Sequence, residues 1–314
     1  MRVLITGATG FVGSYLLEHY SRYDEIHATR RHRSDRMNVS HIEAKGEVEW
    51  HTMDLTDAHS VSKVIKFVKP DIIHHLAAQS FVPASWDYPA ETFKINVLGT
   101  INLFEAVREY SPEAVIHIAS SSEVYGIPDR LPITEGLIPN PVSPYGVSKL
   151  AMDRLGYQYH KSYGLRVVIT RAFNHTGPRR GEQFVCSSFA KQVAQIEKAG
   201  GGNIAVGNLT ATRDFTDVRD ICRAYVLAVR KCDYGTPYNI CSEQEISIGD
   251  VLKKLIKHSK VEIGVVQDPK RLRPSDLHTL QGDCRRFRKR TNWKREYDLD
   301  VTLRQLLEYW RARV

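Results

Sequence analysis

Three glycines that directly follow the first hydrophobic segment constrain the fold of this chain more than any other feature. Gly7, Gly10 and Gly13 form a G-x-x-G-x-x-G pattern after the β-branched run Arg2–Thr6, and a helix-like stretch over residues 12–20 follows. Glycines at this spacing permit a tight turn, close approach of the backbone to a pyrophosphate and close packing of helix on strand. The free N–H groups of the helix would face phosphate. The pattern therefore predicts a βα unit that binds a dinucleotide.

Short hydrophobic strands alternate with helices along the first part of the chain. The further predicted strands are 25–28, Val48–Thr52, 71–76, 114–119 and 167–171, and the longer predicted helices are 60–68, 90–110 and Pro144–Tyr163. Continuous apolar strands separated by helices indicate a parallel sheet that is covered on both faces. We predict an α/β fold, a Rossmann-type doubly wound parallel sheet with a smaller C-terminal α/β substrate lobe. The sheet domain would span residues 1–176, the lobe mainly 177–314, and residues 208–235 would return to the sheet domain.

The composition is that of a globular protein with an excess of positive charge. Apolar residues make up 42% and charged residues 25%, which excludes intrinsic disorder, collagen and a disulfide miniprotein. The 44 Lys plus Arg outnumber the 36 Asp plus Glu and give a net charge of +8, which favours phosphate ligands. The basic segment 284–290 suggests an alternative, a non-enzymatic NADP-binding regulator or an RNA-binding protein. We expect a solvated helix face there and no nucleic-acid partner.

The cysteines and the hydrophobic runs indicate a compartment. The chain has five cysteines, an odd number, and none are spaced as Cys-x-x-Cys, which argues against a disulfide framework and against a zinc site. No run approaches the roughly 18 apolar residues that a membrane span needs. The stretch before the first glycine is too short for a signal peptide. We expect a cytoplasmic protein with no membrane partner and no metal.

The end of the second predicted strand distinguishes between two cofactors. An acidic residue there would bind the ribose 2′-hydroxyl of NAD. Here Arg30, Arg31 and Arg33 occupy this segment, and the first acid is Asp35. Because arginine pairs well with a 2′-phosphate, the segment predicts NADP. The alternative interpretation is a solvated basic loop.

Tyr145 and Lys149 are four residues apart in a predicted helix, so both side chains lie on one face. A free tyrosine titrates near about 10 and is a poor base at neutral pH. A lysine ammonium and a positive nicotinamide would both favour the phenolate, which would make Tyr145 a proton carrier. The alternative is a chance pair on a helix.

A polar segment, Ser120 to Glu123, ends the strand that precedes this helix. Ligands of doubly wound sheets bind outside the carboxyl ends of the strands. The hydroxyls could bind a substrate oxygen, and the carboxylate could take a proton from carbon. The alternative is a polar turn with a helix cap.

These features together resemble the extended short-chain dehydrogenase/reductase superfamily over nearly the whole chain. Within it, several segments are similar to the GDP-mannose 4,6-dehydratase family. They are Arg30-Arg31 with Ser34, Asn38 and Ile42, then 54–57, 78–80, 121–126, 143–145, Asn174-His175, 178–182, Phe184-Val185, 207–209, Arg213-Asp214, Arg273-Pro274 and Gly282-Asp283. The chain is shorter than most of these dehydratases, and residues 215–220 are more like the related GDP-6-deoxy-4-keto-mannose reductases.

The resemblance implies a redox-neutral reaction on GDP-D-mannose. Tyr145 would take the C4 hydroxyl proton while hydride passes to NADP⁺. Glu123 would then remove the C5 proton, water would leave from C6, and the returning hydride would give GDP-4-keto-6-deoxy-D-mannose. We expect a GDP-mannose 4,6-dehydratase activity, a hydro-lyase. The alternative is a GDP-4-keto-6-deoxy-mannose reductase, or another nucleotide-sugar dehydratase or epimerase of the same superfamily.

The residues and the resemblance together assign three groups of site residues. The catalytic residues would be Ser121, Glu123, Tyr145 and Lys149. The NADP-binding residues would be Gly7, Gly10, Phe11, Val12, Gly13, Arg30, Arg31, Arg33, Asp54, Leu55, Leu76, Ala77, Ala78, Asn96, Tyr145 and Lys149. The residues that bind the nucleotide sugar would be Ser80, Asn174, Val185, Lys191, Arg213, Arg273 and Asp276. The resemblance also implies a homo-oligomer, a dimer or a tetramer.

Overall fold

The computed structural model of the protein describes residues 1–20, 25–271 and 278–314. Its strands are, in chain order, β1 (Arg2–Thr6), β2 (Glu25–Arg30), β3 (Val48–Thr52), β4 (Ile72–His75), β5 (Val115–Ser121), β6 (Arg166–Ala172), β7 (Asn174–Thr176), β8 (Gly202–Val206), β9 (Thr212–Asp217), β10 (Pro237–Ile240), β11 (Glu245–Ser247), β12 (Ile263–Gln267) and β13 (Thr279–Leu280). Its helices are α1 (Phe11–Tyr20), α2 (Ser40–Glu43), α3 (Ala58–Val68), α4 (Val82–Asp87), α5 (Pro89–Phe93), α6 (Gly99–Tyr110), α7 (Pro144–Tyr163), α8 (Val185–Ala199), α9 (Val218–Lys231), α10 (Ile248–Lys257), α11 (Arg285–Thr291) and α12 (Leu299–Arg311).

Seven strands form one parallel sheet in the order β10-β6-β5-β4-β1-β2-β3. Side chains alternate between its faces: Val3 and Ile5 pack in the hydrophobic cluster on one face, and Leu4 packs in the cluster on the other. Helices cover both faces, so the strands read as continuous apolar runs. The strand order reverses between β1 and β4, which places a crevice at the carboxyl ends of these two strands. The predicted α/β fold with a Rossmann-type doubly wound sheet is confirmed.

A smaller unit follows the large sheet in the sequence. A mixed sheet contains β11, β9 and β13, β7 pairs with β9, and β12 pairs with β8 in a separate two-stranded ribbon. Helices α8, α10 and α12 enclose a hydrophobic cluster of their own beside these strands. Within the described residues, no helix combines the length and apolar character that crossing a membrane requires.

The chain passes between the two units more than once. Helix α9 packs on β5, β6 and α1, and β10 forms an edge of the large sheet, whereas β9 belongs to the smaller sheet. We expected the segment 208–235 to return to the sheet domain. Within it, α9 packs on the large sheet, and β9 pairs within the smaller sheet. The return also extends beyond residue 235, to β10. The division at residue 176 into two domains remains a prediction.

The predicted helix 90–110 differs from the structure in its start and in its winding. The helical segment begins at Pro89 and contains a π-helical turn, Lys94–Leu98, between α5 and α6. Asn96 lies in this turn, and its Oδ1 accepts a hydrogen bond of 2.8 Å from the Gln79 backbone N–H. A π turn inserts one residue into a helix and redirects the side chains there. Hydrophobic spacing carries no signal for such an insertion.

A buried ion pair links the large sheet to α7. The Arg171 guanidinium donates to both carboxylate oxygens of Asp153 at 2.7 and 3.1 Å, and also to the Tyr125 hydroxyl at 3.0 Å. Tyr125 in turn donates to Asn239 on β10 at 2.7 Å. Both charged side chains are essentially inaccessible to solvent, at 1% and 0% exposure. Removing one partner would leave the other charge buried without compensation.

We predict that Asp153→Ala lowers the free energy of unfolding by about 3–5 kcal/mol, because Arg171 loses its buried counter-charge. The measurement is equilibrium denaturation in urea. The matched control is Glu113→Gln, which removes an exposed ion pair with Arg166 and should cost less than about 1 kcal/mol. Equal losses in the two variants would contradict the structural role of the buried pair.

Candidate active site

A cleft of about 500 Å³ opens at the reversal point of the large sheet. It brings together residues from the carboxyl ends of β1, β2, β4 and β5, from α7, and from the segment after β6. The predicted site residues that line it are Gly7, Gly10, Phe11, Val12, Gly13, Arg30, Arg31, Asp54, Leu55, Leu76, Ala77, Ala78, Ser80, Tyr145 and Lys149. Predicted cofactor-binding and catalytic residues from distant parts of the sequence thus meet in one place.

The glycine loop lines the cleft and packs so closely on neighbouring backbone that side chains do not fit there. Gly7 adopts a φ of 67°, and a Cβ at this position would lie 2.8 Å from the Ala77 backbone. A Cβ at Gly13 would lie 2.5 Å from the Gly7 carbonyl oxygen. The loop and the first turn of α1 therefore offer bare backbone N–H groups to the cleft. This cradle fits the pyrophosphate of a dinucleotide.

The arginine loop after β2 contributes its three members unequally. Arg31 is exposed and lines the cleft, and it also lines a neighbouring depression of about 450 Å³ with Asp54. Arg30 lines the cleft while its guanidinium pairs with Glu43 and lies 5.1 Å from the centre of the Trp50 ring. Arg33 is exposed and does not line the cleft. The structure thus presents Arg31 as the arginine of this loop that is most available to a 2′-phosphate.

Tyr145 and Lys149 lie side by side in the cleft, on the face of α7 that the spacing predicts. The Lys149 ammonium donates to the Ala119 carbonyl oxygen at 2.9 Å and lies 5.8 Å from the centre of the Tyr145 ring. Burial lowers the pKa of Lys149 to about 8 and raises the pKa of Tyr145 to about 12. We expected Lys149 to favour the phenolate. In the structure, desolvation outweighs the neighbouring charges and keeps the phenol protonated.

Ser121 and Glu123 contact this pair from the end of β5. The Ser121 hydroxyl accepts a 3.2 Å hydrogen bond from the Glu123 backbone N–H, as a helix cap does. A hydrogen bond from Ser121 favours the Tyr145 phenolate, and the nearby Glu123 carboxylate disfavours it; both effects are smaller than that of burial on the pKa. Neither side chain lines the cleft. The structure therefore brings all four predicted catalytic residues close together, two of them in the lining of the cleft.

Asn96, a predicted cofactor ligand, is fully buried and does not line the cleft. Its amide nitrogen donates to the Gln79 carbonyl at 3.1 Å and to the Ser148 hydroxyl at 2.9 Å. Gln79 is itself part of the cleft wall. Asn96 is thus placed to hold the segment after β4 against α7 and not to contact a ligand.

The residues predicted to bind the nucleotide sugar lie in different places. Ser80 lines the cleft. Asn174 and Val185 do not; Asn174 is next to His175, which lines the cleft, and Val185 is next to Phe184, which stacks on the cleft residue Arg180.

The other predicted sugar-nucleotide ligands are farther from the cleft surface or outside the described residues. Lys191 pairs with Glu182 on the outer part of α8. Arg213 is buried on β9 and donates to the Thr212 carbonyl at 2.8 Å. The predicted ligands Arg273 and Asp276 lie outside the described residues.

Arg180, which follows β7 and is one of the excess arginines expected to meet phosphate, also lines the cleft. Its guanidinium stacks on Phe184, 3.4 Å from the ring centre, and its Nε is buried with no hydrogen-bond partner. No carboxylate among the described residues forms an ion pair with it, and burial lowers its pKa to about 10. A desolvated guanidinium without a counter-charge in the lining of a cleft fits an anionic ligand. The signal in the sequence was the Arg179-Arg180 pair; Tyr225, which also lines the cleft, gave none.

The basic helix α11, which suggested nucleic acid, is largely neutralised by carboxylates. Its ion pairs are Arg285 with Asp283, Arg286 with Glu135, Arg288 with Glu243, and Arg290 with Asp233. The helix thus presents little unpaired charge for a phosphate backbone.

The chain matches a known family, curated proteins and a solved structure. The sequence pattern of the family described as GDP-mannose 4,6 dehydratase matches residues 4–306. A GDP-6-deoxy-D-mannose reductase of Pseudomonas aeruginosa is 34% identical across 100% of this chain and 98% of its own length. A GDP-mannose 4,6 dehydratase of Cricetulus griseus is 31% identical across 97% of this chain and 90% of its own length. The solved structure of RMD from Pseudomonas aeruginosa complexed with NADPH has a TM-score of 0.86 at 33% identity and covers 100% of this chain and 99% of its own.

We predict that Arg180→Met has opposite effects on stability and on ligand binding. The midpoint temperature without ligand should rise, because a desolvated cation without a counter-charge is removed. The affinity for NADPH, the expected cofactor, should fall about 10- to 100-fold through loss of a charge-assisted hydrogen bond. Thermal unfolding and calorimetric titration measure the two quantities.

The matched control is Arg179→Met, because Arg179 is already paired with Glu18 and lies over the Tyr15 ring. This variant should lose stability and keep its affinity for NADPH. If Arg179→Met and Arg180→Met weakened binding equally, Arg180 would not be the group that contacts the cofactor.

Proposed function

The chain belongs to the GDP-mannose 4,6 dehydratase family, and from that premise we propose that it is an NADPH-dependent reductase of GDP-4-keto-6-deoxy-D-mannose. The coarser assignment is established: it is an enzyme of the extended short-chain dehydrogenases/reductases that act on nucleotide sugars. The sequence interpretation placed the dehydratase first. The reductase takes precedence here because the Pseudomonas aeruginosa reductase aligns with the chain over almost its whole length.

The full-length similarity to the Pseudomonas aeruginosa reductase carries this proposal, and a protonated phenol at Tyr145 is compatible with it. Reduction of a ketone needs an acid that gives a proton to the carbonyl oxygen, whereas oxidation of an alcohol needs a base. Burial raises the pKa of Tyr145 to about 12, so at neutral pH the phenol carries the proton that reduction requires. Beside the uncharged ring of a reduced nicotinamide, the phenol would keep that proton until the oxygen of the substrate gains charge.

The residues of the cleft would have separate roles in such a reduction. The glycine loop and Arg180 would bind the pyrophosphate of NADPH, and Lys149 would hold the nicotinamide ribose. NADPH, when bound, supplies the hydride. Tyr145 would donate its proton to O4 of the keto sugar, and the Ser121 hydroxyl would stabilise the phenolate through its hydrogen bond. The water-poor position of Tyr145, only 8% exposed, would protect the transfer from competing proton sources.

NADP is favoured over NAD by the arginine loop. Arg31 lines the cleft and is exposed, so its planar guanidinium is free to pair with a 2′-phosphate. The related RMD structure is complexed with NADPH. Asp54 lines the same end of the cleft, where it would contact the adenosine part of the cofactor.

A second candidate, the GDP-mannose 4,6-dehydratase, is favoured by Glu123. Its carboxylate is close enough to Tyr145 to raise the pKa of the phenol. Elimination of water needs a group that removes the C5 proton and assists the departure of the C6 hydroxyl. Glu123 is the carboxylate of the predicted catalytic group. Glu123 is partly exposed to solvent and is not among the residues that line the cleft.

Two incubations distinguish the candidates. With GDP-4-keto-6-deoxy-D-mannose and NADPH, we expect NADPH absorbance to fall as a GDP-6-deoxyhexose forms. With GDP-D-mannose and NADP⁺, we expect no keto sugar. Keto sugar formed from GDP-D-mannose without a net change in NADPH absorbance would instead establish the dehydratase.

Two variants test the assigned roles within the reductase assay. Tyr145→Phe should lower kcat about 10²- to 10⁴-fold, because the proton donor is lost while the packing remains. Glu123→Gln should leave kcat for the reduction close to wild type, whereas it would abolish an elimination. A large loss of reduction in Glu123→Gln would refute the separation of roles.

We further predict that Arg31→Ala raises the KM for NADPH about 10- to 100-fold and leaves the KM for NADH nearly unchanged, since only NADPH carries the 2′-phosphate. Steady-state kinetics with the two cofactors provide the measurement. Arg33→Ala is the matched control, because Arg33 is equally basic but does not line the cleft. Equal effects of Arg31→Ala on both cofactors would rule out the 2′-phosphate contact.

A further inference from the structure

Three potential metal ligands converge on strands β2 and β3, at the edge of the large sheet. His27 Nδ1 lies 3.0 Å from His51 Nε2, and a carboxylate oxygen of Glu49 lies 3.5 Å from the first atom and another 3.8 Å from the second. Each of these three side chains offers one donor atom, and the three donor atoms all lie within 4.8 Å of one another. None of the three lines the cleft.

These separations match the donor shell of a small divalent cation. Bonds of 2.0–2.2 Å in a tetrahedral site place neighbouring donor atoms about 3.3 Å apart. The three separations in the cluster lie on either side of this value, so small side-chain rotations would complete the shell. Two imidazoles and one carboxylate also form a donor set that zinc uses together with a water molecule.

A second carboxylate fixes the orientation of the buried histidine. Glu25 Oε1 lies 3.1 Å from His27 Nε2 and accepts its proton. In that tautomer Nδ1 carries the lone pair, and Nδ1 is the atom that faces Glu49 and His51. A carboxylate behind a histidine ligand is a common feature of metal sites, because it fixes the ring and raises the basicity of the donor nitrogen.

The other histidine is also in a form suited to binding. His51 stacks edge-on to Phe67, with ring centroids 5.7 Å apart, and its side chain is only 12% exposed. The ring is thus held in place with its Nε2 beside His27 Nδ1. Glu49 is more than half exposed and leaves room for a water ligand on the solvent side.

We propose that His27, Glu49 and His51 bind one zinc-class divalent cation, with water as the remaining ligand. The ion would join β2 to β3, the edge strand of the sheet, between residues that are up to 24 positions apart in the sequence. It would also hold together β2, which ends at Arg30, and β3, which is followed by Asp54. The site thus stabilises the sheet edge and takes no part in the reaction. The cysteine pattern, on which the expectation of no metal rested, carries no signal for it.

The test uses the full chain after treatment with a chelator and its removal. Zinc chloride should raise the midpoint temperature by at least about 4 °C at saturation, and calorimetric titration should give one site. Glu25→Gln should weaken zinc affinity about 10- to 100-fold while leaving all three ligands in place. Glu49→Gln should weaken it at least as much.

Two matched controls separate this site from adventitious binding. Glu47→Gln makes the same charge change two residues away on an exposed side chain, and His59→Gln removes an exposed histidine. Both should bind zinc as the wild type does. Buried His27 is left intact so that every variant folds, which the midpoint temperature without zinc verifies.

Cobalt provides a spectroscopic readout of geometry. Co²⁺ should give intense visible d–d bands of a tetrahedral site in the wild type and in His59→Gln, and these bands should be lost in His51→Gln. An absent zinc-dependent shift, or equal zinc affinity in Glu49→Gln and Glu47→Gln, would overturn the proposal.

Discussion

The backbone of Gly7 lies so close to the backbone of Ala77 that no side chain fits between them, and the rest of the site depends on this contact. The Thr6 hydroxyl accepts hydrogen bonds from the N–H groups of Leu76 and Ala77 at 3.2 and 3.1 Å, and so joins the ends of β1 and β4. The strand order reverses at this pair. The chain segments that follow β1 and β4 run in opposite directions and form the two walls of the cleft.

Burial sets the chemistry of the cleft. The same loss of solvent that lowers the pKa of Lys149 raises the pKa of Tyr145, because each neutral form is easier to desolvate than its ion. Burial also disfavours the charged form of Arg180, and among the described residues no carboxylate forms an ion pair with it. A ligand that brings phosphate into the cleft would compensate the basic groups, while the phenol keeps its proton for transfer.

The sequence predicted those features that depend on local pattern and failed on those that depend on tertiary contacts. Glycine spacing and strand–helix alternation predicted the parallel sheet and the loop between β1 and α1, since both are dictated by short-range geometry. The spacing of Tyr145 and Lys149 predicted a shared face. Their pKa shifts could not be predicted, because they depend on which segments cover α7. The π turn at Asn96 and its contact with Gln79 leave no trace in hydrophobic periodicity. The His27–Glu49–His51 cluster is equally hidden, because only the register of β2 on β3 brings its members together.

The central claim is that hydride moves from a cofactor in this cleft to C4 of a keto sugar while Tyr145 supplies the proton. The most direct measurement uses NADPH with deuterium at the transferable position of the nicotinamide and locates the label in the sugar product by NMR. The account predicts one deuterium at C4 of the GDP-6-deoxyhexose. Product without deuterium at C4, or deuterium at C6, would contradict it.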